Sequence, residues 1–182
     1  MLLDYRIIQA ATDWTADVPW HRTVTYVMAE LLIFIFPLVL YLLWQQPEKK
    51  GRFHSARKAV MMALMTTVLG LAIKAGISIL WVRPRPFISH LNLPHMLLNL
   101  DPPSFPSSHV LVTMAIASSL LFSGYPKLGW FLIGISALIA VGRVLAGAHY
   151  PSDVASGLLI GLIISWYLHS EASSIRKYLP NR

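Results

Sequence analysis

The chain has 182 residues, of which 55% are hydrophobic and 13% charged, with 15 Lys and Arg against 8 Asp and Glu and no cysteine. Its mean hydropathy is +0.58. A soluble domain carries about 25% charged residues, so this composition excludes an ordinary soluble globule, a disulfide scaffold, a thiol nucleophile and a cysteine metal centre. The net charge of +7 then belongs to membrane topology and to anionic lipid or phosphate rather than to nucleic acid.

Residues 1–22 carry Asp4 and Arg6 in their first turn, with no apolar stretch leading to a small-residue cleavage site. They are expected to stay as an interfacial helix or loop rather than act as a cleaved signal, with Trp14 and Trp20 anchored in the headgroup layer. A spanning helix needs roughly 20 mostly apolar residues. Five segments qualify or nearly do: about 24–44, 59–82, 107–123, 129–147 and 153–169. Their connections are short, which predicts one all-α integral membrane domain. It is an antiparallel bundle of five transmembrane helices, or six if residues 1–22 also cross. Gly157 and Gly161 stand at GxxxG spacing in the fifth segment and allow a close helix approach.

Basic residues set the expected orientation. Lys49, Lys50, Arg52, Arg57 and Lys58 follow the first segment, Lys127 follows the third, and Arg176, Lys177 and Arg182 end the chain. With five spans all three groups fall on one side, which the positive-inside rule makes cytoplasmic. The loop at 83–106 and the turn at 148–152 then face outward. Arg83, Arg85, Ser107, Ser108, His109, Arg143, His149 and Asp153 collect on that outer side.

This collection reads as an anion site. Arg143 lies near the end of a span, where an arginine costs at least about 2.5 kcal/mol unless it snorkels or finds a partner. Arg83 and Arg85 stand in RPRP, whose prolines hold the chain extended and let the guanidinium groups be aimed. Converging arginines call for an anion, and phosphate suits their planar fork. PSFPSSHV at 103–110 starts a helix, with Ser107 or Ser108 as N-cap, and AHYPSDV at 148–154 repeats the device with Ser152. Helix starts of this kind present free amides to an anion.

His149 and Asp153 are four residues apart, so the carboxylate could hold one ring nitrogen and leave the other as nucleophile or base. His109 could act as acid or base from the other side. The same pair could instead ligate a metal, although the adjacent arginines would repel a cation. His21, His54, His90, His95 and His169 are read as polar contacts with headgroups.

Three motifs in this order, RPRP at 83–86, PSSH at 106–109 and RVLAGAHYPSD at 143–153, resemble the signature of the type 2 phosphatidic acid phosphatase superfamily. SFPSSH and GAHYPSDV look most like its bacitracin-resistance type of undecaprenyl-diphosphate phosphatase. The resemblance implies a lipid phosphatase with no cofactor or metal. His149 would form a phosphohistidine, Asp153 would orient it, and His109 would protonate the leaving group and then activate water. Arg85, Arg143, Ser107 and Ser108 would hold the phosphate, joined by Arg83 and by Lys74.

Three positions depart from the family pattern. Ser78 stands where a lysine is usual, and Lys74, a turn earlier, lies about 16 Å below Arg85 on a regular helix. It is either a reaching ligand or a paired structural lysine. Ser108 replaces a glycine, and Gly142 replaces a serine. The expected partner is a membrane lipid, a polyprenyl diphosphate cleaved at the outer face of a bacterial cytoplasmic membrane. Phosphatidylglycerophosphate or phosphatidic acid is the alternative substrate. Non-catalytic binding or transport of a polyprenyl phosphate is the alternative of another class.

Overall fold

Gly161 and Gly157 set how the bundle closes. The computed structural model describes residues 2–47, 56–89 and 103–178, with 173–178 as backbone. Among these every regular element is a helix. Helix α1 is Leu2–Asp17. Helix α2, Pro19–Trp44, is long and apolar enough to cross a membrane, as are α3 (Ala56–Leu80) and α6 (Pro126–Leu145) and the stretch Pro151–Ala172 of α7 (Pro151–Tyr178). Between them lie a single turn, α4 (Pro86–Ser89), and the shorter apolar helix α5 (Ser108–Phe122). The spans expected from hydropathy fall on these helices, shifted by a few residues at their ends. Lys49, Lys50, Arg52, His54, His90, His95 and Arg182 lie outside the described residues, as do the side chains of Arg176 and Lys177.

The bundle is apolar on its outside and carries small polar side chains within its apolar core. Leu38, Leu42, Met65, Val68, Ile79, Trp130, Phe131, Leu159 and Trp166 face outward. Thr66, Ser118, Ser119, Ser136 and Ser165 are buried beside Phe36, Leu120, Leu132 and Ile139. Lipid tails solvate apolar side chains as well as a core does, so helix association falls to close packing and internal hydrogen bonds. A Cβ on Gly157 would come 2.9 Å from the Ser107 carbonyl oxygen. One on Gly161 would come 2.8 Å from the Leu111 carbonyl oxygen and 2.9 Å from the Ala115 nitrogen. The GxxxG pair thus seats α7 directly on the backbone of α5.

Helix α2 is irregular. Pro37 has no N–H for the carbonyl four residues earlier, and just upstream the helix winds as a π turn at Val27–Leu31 and a 3-10 turn at Leu32–Phe34. The π turn carries Glu30 and packs against α6 where Gly142 leaves room. A Cβ there would meet the Ala29 nitrogen at 2.7 Å.

Two histidines expected at headgroups are instead held by protein. His21 is buried, with Nδ1 2.7 Å from the Trp14 carbonyl and its ring stacked on Trp14 at 3.8 Å. His169 pairs Nε2 with Ser123 Oγ at 3.0 Å, tying α7 to the α5–α6 turn.

Replacing Gly161 by Ala should lower stability by about 1–3 kcal/mol, because the new methyl meets backbone that cannot step aside. Gly134, with nothing within 4 Å of an added Cβ, should accept Ala without loss. Thermal unfolding in detergent compares the two.

Candidate active site

The turn that ends α6 fixes the first two functional groups. Gly147 adopts φ 69°, a left-handed conformation that glycine takes without a steric penalty. Its N–H donates to the Val144 carbonyl at 3.0 Å, and the Ala148 N–H donates to the Arg143 carbonyl at 3.1 Å. This is a Schellman closure. The His149 N–H also reaches the Arg143 carbonyl, at 3.3 Å. Arg143 and His149 are therefore locked to each other through backbone, and their side chains are 1% and 2% exposed.

The ring of His149 has one possible neutral tautomer. Nδ1 lies 2.9 Å from the Ser104 carbonyl oxygen, which can only accept, so Nδ1 carries the proton. Nε2 then bears a lone pair, and Arg85 Nη1 donates toward it at 3.2 Å while also bonding the Ala148 carbonyl at 3.1 Å. Asp153 Oδ2 stands 3.6 Å from Nδ1, beyond hydrogen-bond reach. The coupling runs through Ser104, whose hydroxyl donates a short hydrogen bond to Asp153 Oδ2 and sits 3.4 Å from Nδ1. Burial pushes the His149 imidazole down to about 4, and Arg143 and Arg85 push the same way, against Asp153. The ring is neutral at physiological pH.

Arg83, expected to hold phosphate, is bonded to protein groups. Its Nη1 donates to Asp153 Oδ1 at 2.5 Å and to Ser152 Oγ at 2.7 Å, and its Nη2 to Asp4 Oδ2 at 3.0 Å. The guanidinium also lies 4.0 Å over the ring of Tyr150. The expected cap Ser152 is also reassigned. It occupies the second residue of α7, and its hydroxyl donates to Asp4 Oδ2 at 2.7 Å. The capping carboxylate is Asp153, which accepts the Tyr150 N–H at 3.0 Å. Asp4 accepts the Ser152 N–H at 3.3 Å, so the start of α7 is already supplied with an anion by α1. Burial works against the charge of Asp4, but the bonds from Ser152 and Arg83 prevail and hold its carboxyl below the usual range.

The start of α5 is different. Ser107 has extended backbone at the N-cap position, and its carbonyl accepts the Leu111 N–H at 3.0 Å. Its hydroxyl caps nothing: Oγ is buried and has no hydrogen-bond partner. Arg143 Nε is in the same state. Ser108 and His109 open the helix, and the Ser107 N–H donates to the Asp153 carbonyl at 3.1 Å, which joins the starts of α5 and α7. His109 and His149 thus stand at the same end of the bundle.

Glu30 completes the site. It donates nothing and accepts a short ionic hydrogen bond from Arg143 Nη1 at Oε1, while Oε2 lies 3.9 Å from His109 Nε2. Lys74 is half-buried on α3 and has no hydrogen bond or ion pair among the described residues, so it is not joined to the site. Sequence reasoning missed Ser104, Asp4 and Glu30. Among the described residues there is no group of three or more His, Cys, Asp or Glu placed to hold a metal.

Together these groups offer a bare imidazole nitrogen and a second imidazole. Around them stand guanidinium groups, an uncapped helix start and two unpartnered buried donors. That set can bind an oxyanion and transfer it. Comparison with known proteins agrees. Residues 57–173 match the PAP2 superfamily; they hold all three motifs and leave out Asp4 and Glu30. Undecaprenyl-diphosphatase BcrC of Bacillus subtilis (strain 168) is 29% identical over 152 residues, covering 84% of this chain and 75% of that protein. The crystal structure of Aquifex aeolicus LpxE matches with a TM-score of 0.72 at 23% identity, over 93% of this chain and 94% of that one. A PAP2 type phosphatidylglycerolphosphate phosphatase from Bacillus subtilis matches with a TM-score of 0.58 at 21% identity, over 100% and 88%. The last two share the fold.

The depressed His149 has a signed consequence. Its ordinary value is 6.5 and its folded value about 4, so between them the unfolded chain binds more protons, and stability falls as pH drops through that window. His149→Asn should remove that part of the acid sensitivity. Nitrogen NMR of labelled imidazole should find Nδ1 protonated and Nε2 bare as pH falls past 6.5.

Proposed function

The chain belongs to the PAP2 superfamily and is a lipid phosphatase, and from that premise we propose that it hydrolyses a polyprenyl diphosphate of the undecaprenyl class to the polyprenyl phosphate and orthophosphate. The observation that carries this reading is the forced tautomer of His149, with Nε2 bare beside Arg85. Support for an anion there comes from Ser107 Oγ and Arg143 Nε, two buried donors without partners, each of which costs about 1–3 kcal/mol if left unsatisfied. Support for the substrate comes from the relative BcrC.

The terminal phosphate enters between the rings of His149 and His109. Arg85 keeps its bond to the Ala148 carbonyl and turns its other donors to phosphate oxygens, while Arg143, Ser107 and the first amides of α5 take the rest. His149 Nε2 attacks phosphorus in line, and the bond to the bridging oxygen breaks. Its electron pair leaves with the polyprenyl phosphate, to which His109 gives a proton. His109 then takes a proton from water as that water attacks the phosphohistidine, and the N–P bond breaks to give orthophosphate. Asp153 steadies the positive ring through Ser104, and Arg83 holds Asp153 in place. The guanidinium groups supply the positive charge that a metal would otherwise bring. We place the chain in the bacterial cytoplasmic membrane with this site outward, because Arg57, Lys58 and Lys127 start their helices at the opposite end.

The test is phosphate release by detergent-purified protein in EDTA, on polyprenyl diphosphate, phosphatidylglycerophosphate and phosphatidic acid side by side. The diphosphate should be cleaved fastest, and chelation should change nothing. His149→Ala should abolish release, and its survival there would falsify the covalent reading. A phosphate leaves more readily than an alkoxide, so His109→Ala should slow phosphatidic acid hydrolysis by about a hundredfold and diphosphate hydrolysis by much less. Equal losses would refute the assignment of His109. Ser104→Ala should lower kcat by about tenfold while leaving KM in place, since it loosens an orienting group rather than a phosphate ligand.

A further inference from the structure

Among the described residues, Glu30 is the carboxylate within the anion site that the phosphatase chemistry does not use. It occupies the ground that phosphate needs. One oxygen is bonded to the Arg143 guanidinium and the other is 3.9 Å from His109 Nε2, so the carboxylate bridges two groups that would grip or protonate the same phosphate. A phosphate dianion that takes the open Nε of Arg143 meets a second negative charge on the same guanidinium, which weakens its hold. The side chain is 28% exposed, whereas its partner Arg143 is 1% exposed; of the two, the carboxylate has the freer path away.

The placement is built rather than incidental. Glu30 sits in the π turn at Val27–Leu31, an irregularity found inside helices frequently at functional sites. That turn lies against α6 at Gly142, where any Cβ would strike the Ala29 nitrogen and Met28 at 2.7 Å. Gly142 is next to Arg143 in the chain. The glycine that departs from the family's usual serine is therefore what admits the π turn and delivers Glu30 to the neighbouring guanidinium.

We propose that Glu30 is a built-in counter-ion that closes the phosphate site when it is empty and must swing off Arg143 for an anionic headgroup to bind, so that it sets the affinity for substrate and for released orthophosphate. The proposal rests on the phosphatase reading above. In the empty protein Glu30 neutralises a buried guanidinium that would otherwise be an uncompensated charge. In the loaded protein phosphate takes over that task. Substrate and Glu30 compete for one partner, which weakens the binding of product as well as substrate and favours release of orthophosphate.

The experiment uses the full-length detergent-purified protein and its Glu30→Gln and Glu30→Asp variants. Orthophosphate binding is measured by calorimetry, KM and kcat are measured on polyprenyl diphosphate, and thermal unfolding is followed with and without phosphate. Glu30→Gln keeps the shape and removes the charge. It should bind orthophosphate about tenfold more tightly, the scale of one near charge at a partly exposed site, and KM should fall with it. Without phosphate its unfolding temperature should drop, and phosphate should raise that temperature more than in the unaltered protein. Glu30→Asp, with its carboxylate drawn back by one methylene, should lie between the two.

If the unaltered protein is active and Glu30→Gln binds phosphate no more tightly, the counter-ion role is wrong and the phosphatase reading stands. Loss of kcat at unchanged phosphate affinity also overturns it, by making Glu30 a positioning residue for His109. If the unaltered protein neither binds orthophosphate nor releases it from any of the three lipids, the phosphatase reading falls first and the role of Glu30 falls with it.

Discussion

A guanidinium buried in an apolar bundle is the constraint from which the rest follows. Arg143 is 1% exposed and lies in the last turn of a membrane-spanning helix. Moving such a charge out of water costs several kcal/mol unless it is paired. The helix end helps, because its carbonyl dipoles favour a cation there. That is not enough to hold a full charge, so the surroundings must bring an anion. That anion is Glu30 from α2. The Schellman turn then ties the Arg143 backbone to His149, so whatever anion Arg143 holds is brought beside that imidazole.

His149 depends on a second chain of charges that alternates in sign. Asp4 on α1 holds Arg83, Arg83 holds Asp153, and Asp153 receives the hydroxyl of Ser104, which abuts His149. Each oxygen of Asp153 is occupied, Oδ1 by Arg83 and Oδ2 by Ser104 and the Tyr150 amide. A carboxylate with all its partners in place holds one rotamer. The Ser104 carbonyl, beside that hydroxyl, decides the tautomer of His149. Orientation and proton placement therefore come from one residue, through its side chain and its backbone.

Hydropathy located the helices because lipid demands long apolar runs. The prolines and serines of RPRP, PSSH and HYPSD marked where those runs stop, which brought Arg85, Ser107, Ser108, His109, Arg143, His149 and Asp153 to one end. Spacing within a helix was legible; pairing between helices was not. Glu30 and Arg143 are 113 residues apart, and nothing local to either announces the other. A lone carboxylate inside an apolar run was nevertheless a usable signal, since such a group is seldom left without a partner. The protein partners of Arg83 were hidden for a related reason. Its neighbours in the chain suggested an external anion, while its true anions, Asp4 and Asp153, lie 79 and 70 residues away. Ser104 was hidden within a motif whose later serines attracted the argument.

The length of α5 bears on how a lipid reaches this site. At 15 residues it rises about 22 Å, against about 30 Å of hydrocarbon. Its far end is tied by the tight turn to α6, and its start is level with that of α7, because the Ser107 N–H donates to the Asp153 carbonyl at 3.1 Å. The close seat of α7 on α5, made by Gly157 and Gly161, closes one flank of the anion site, and α2 brings Glu30 to it on another.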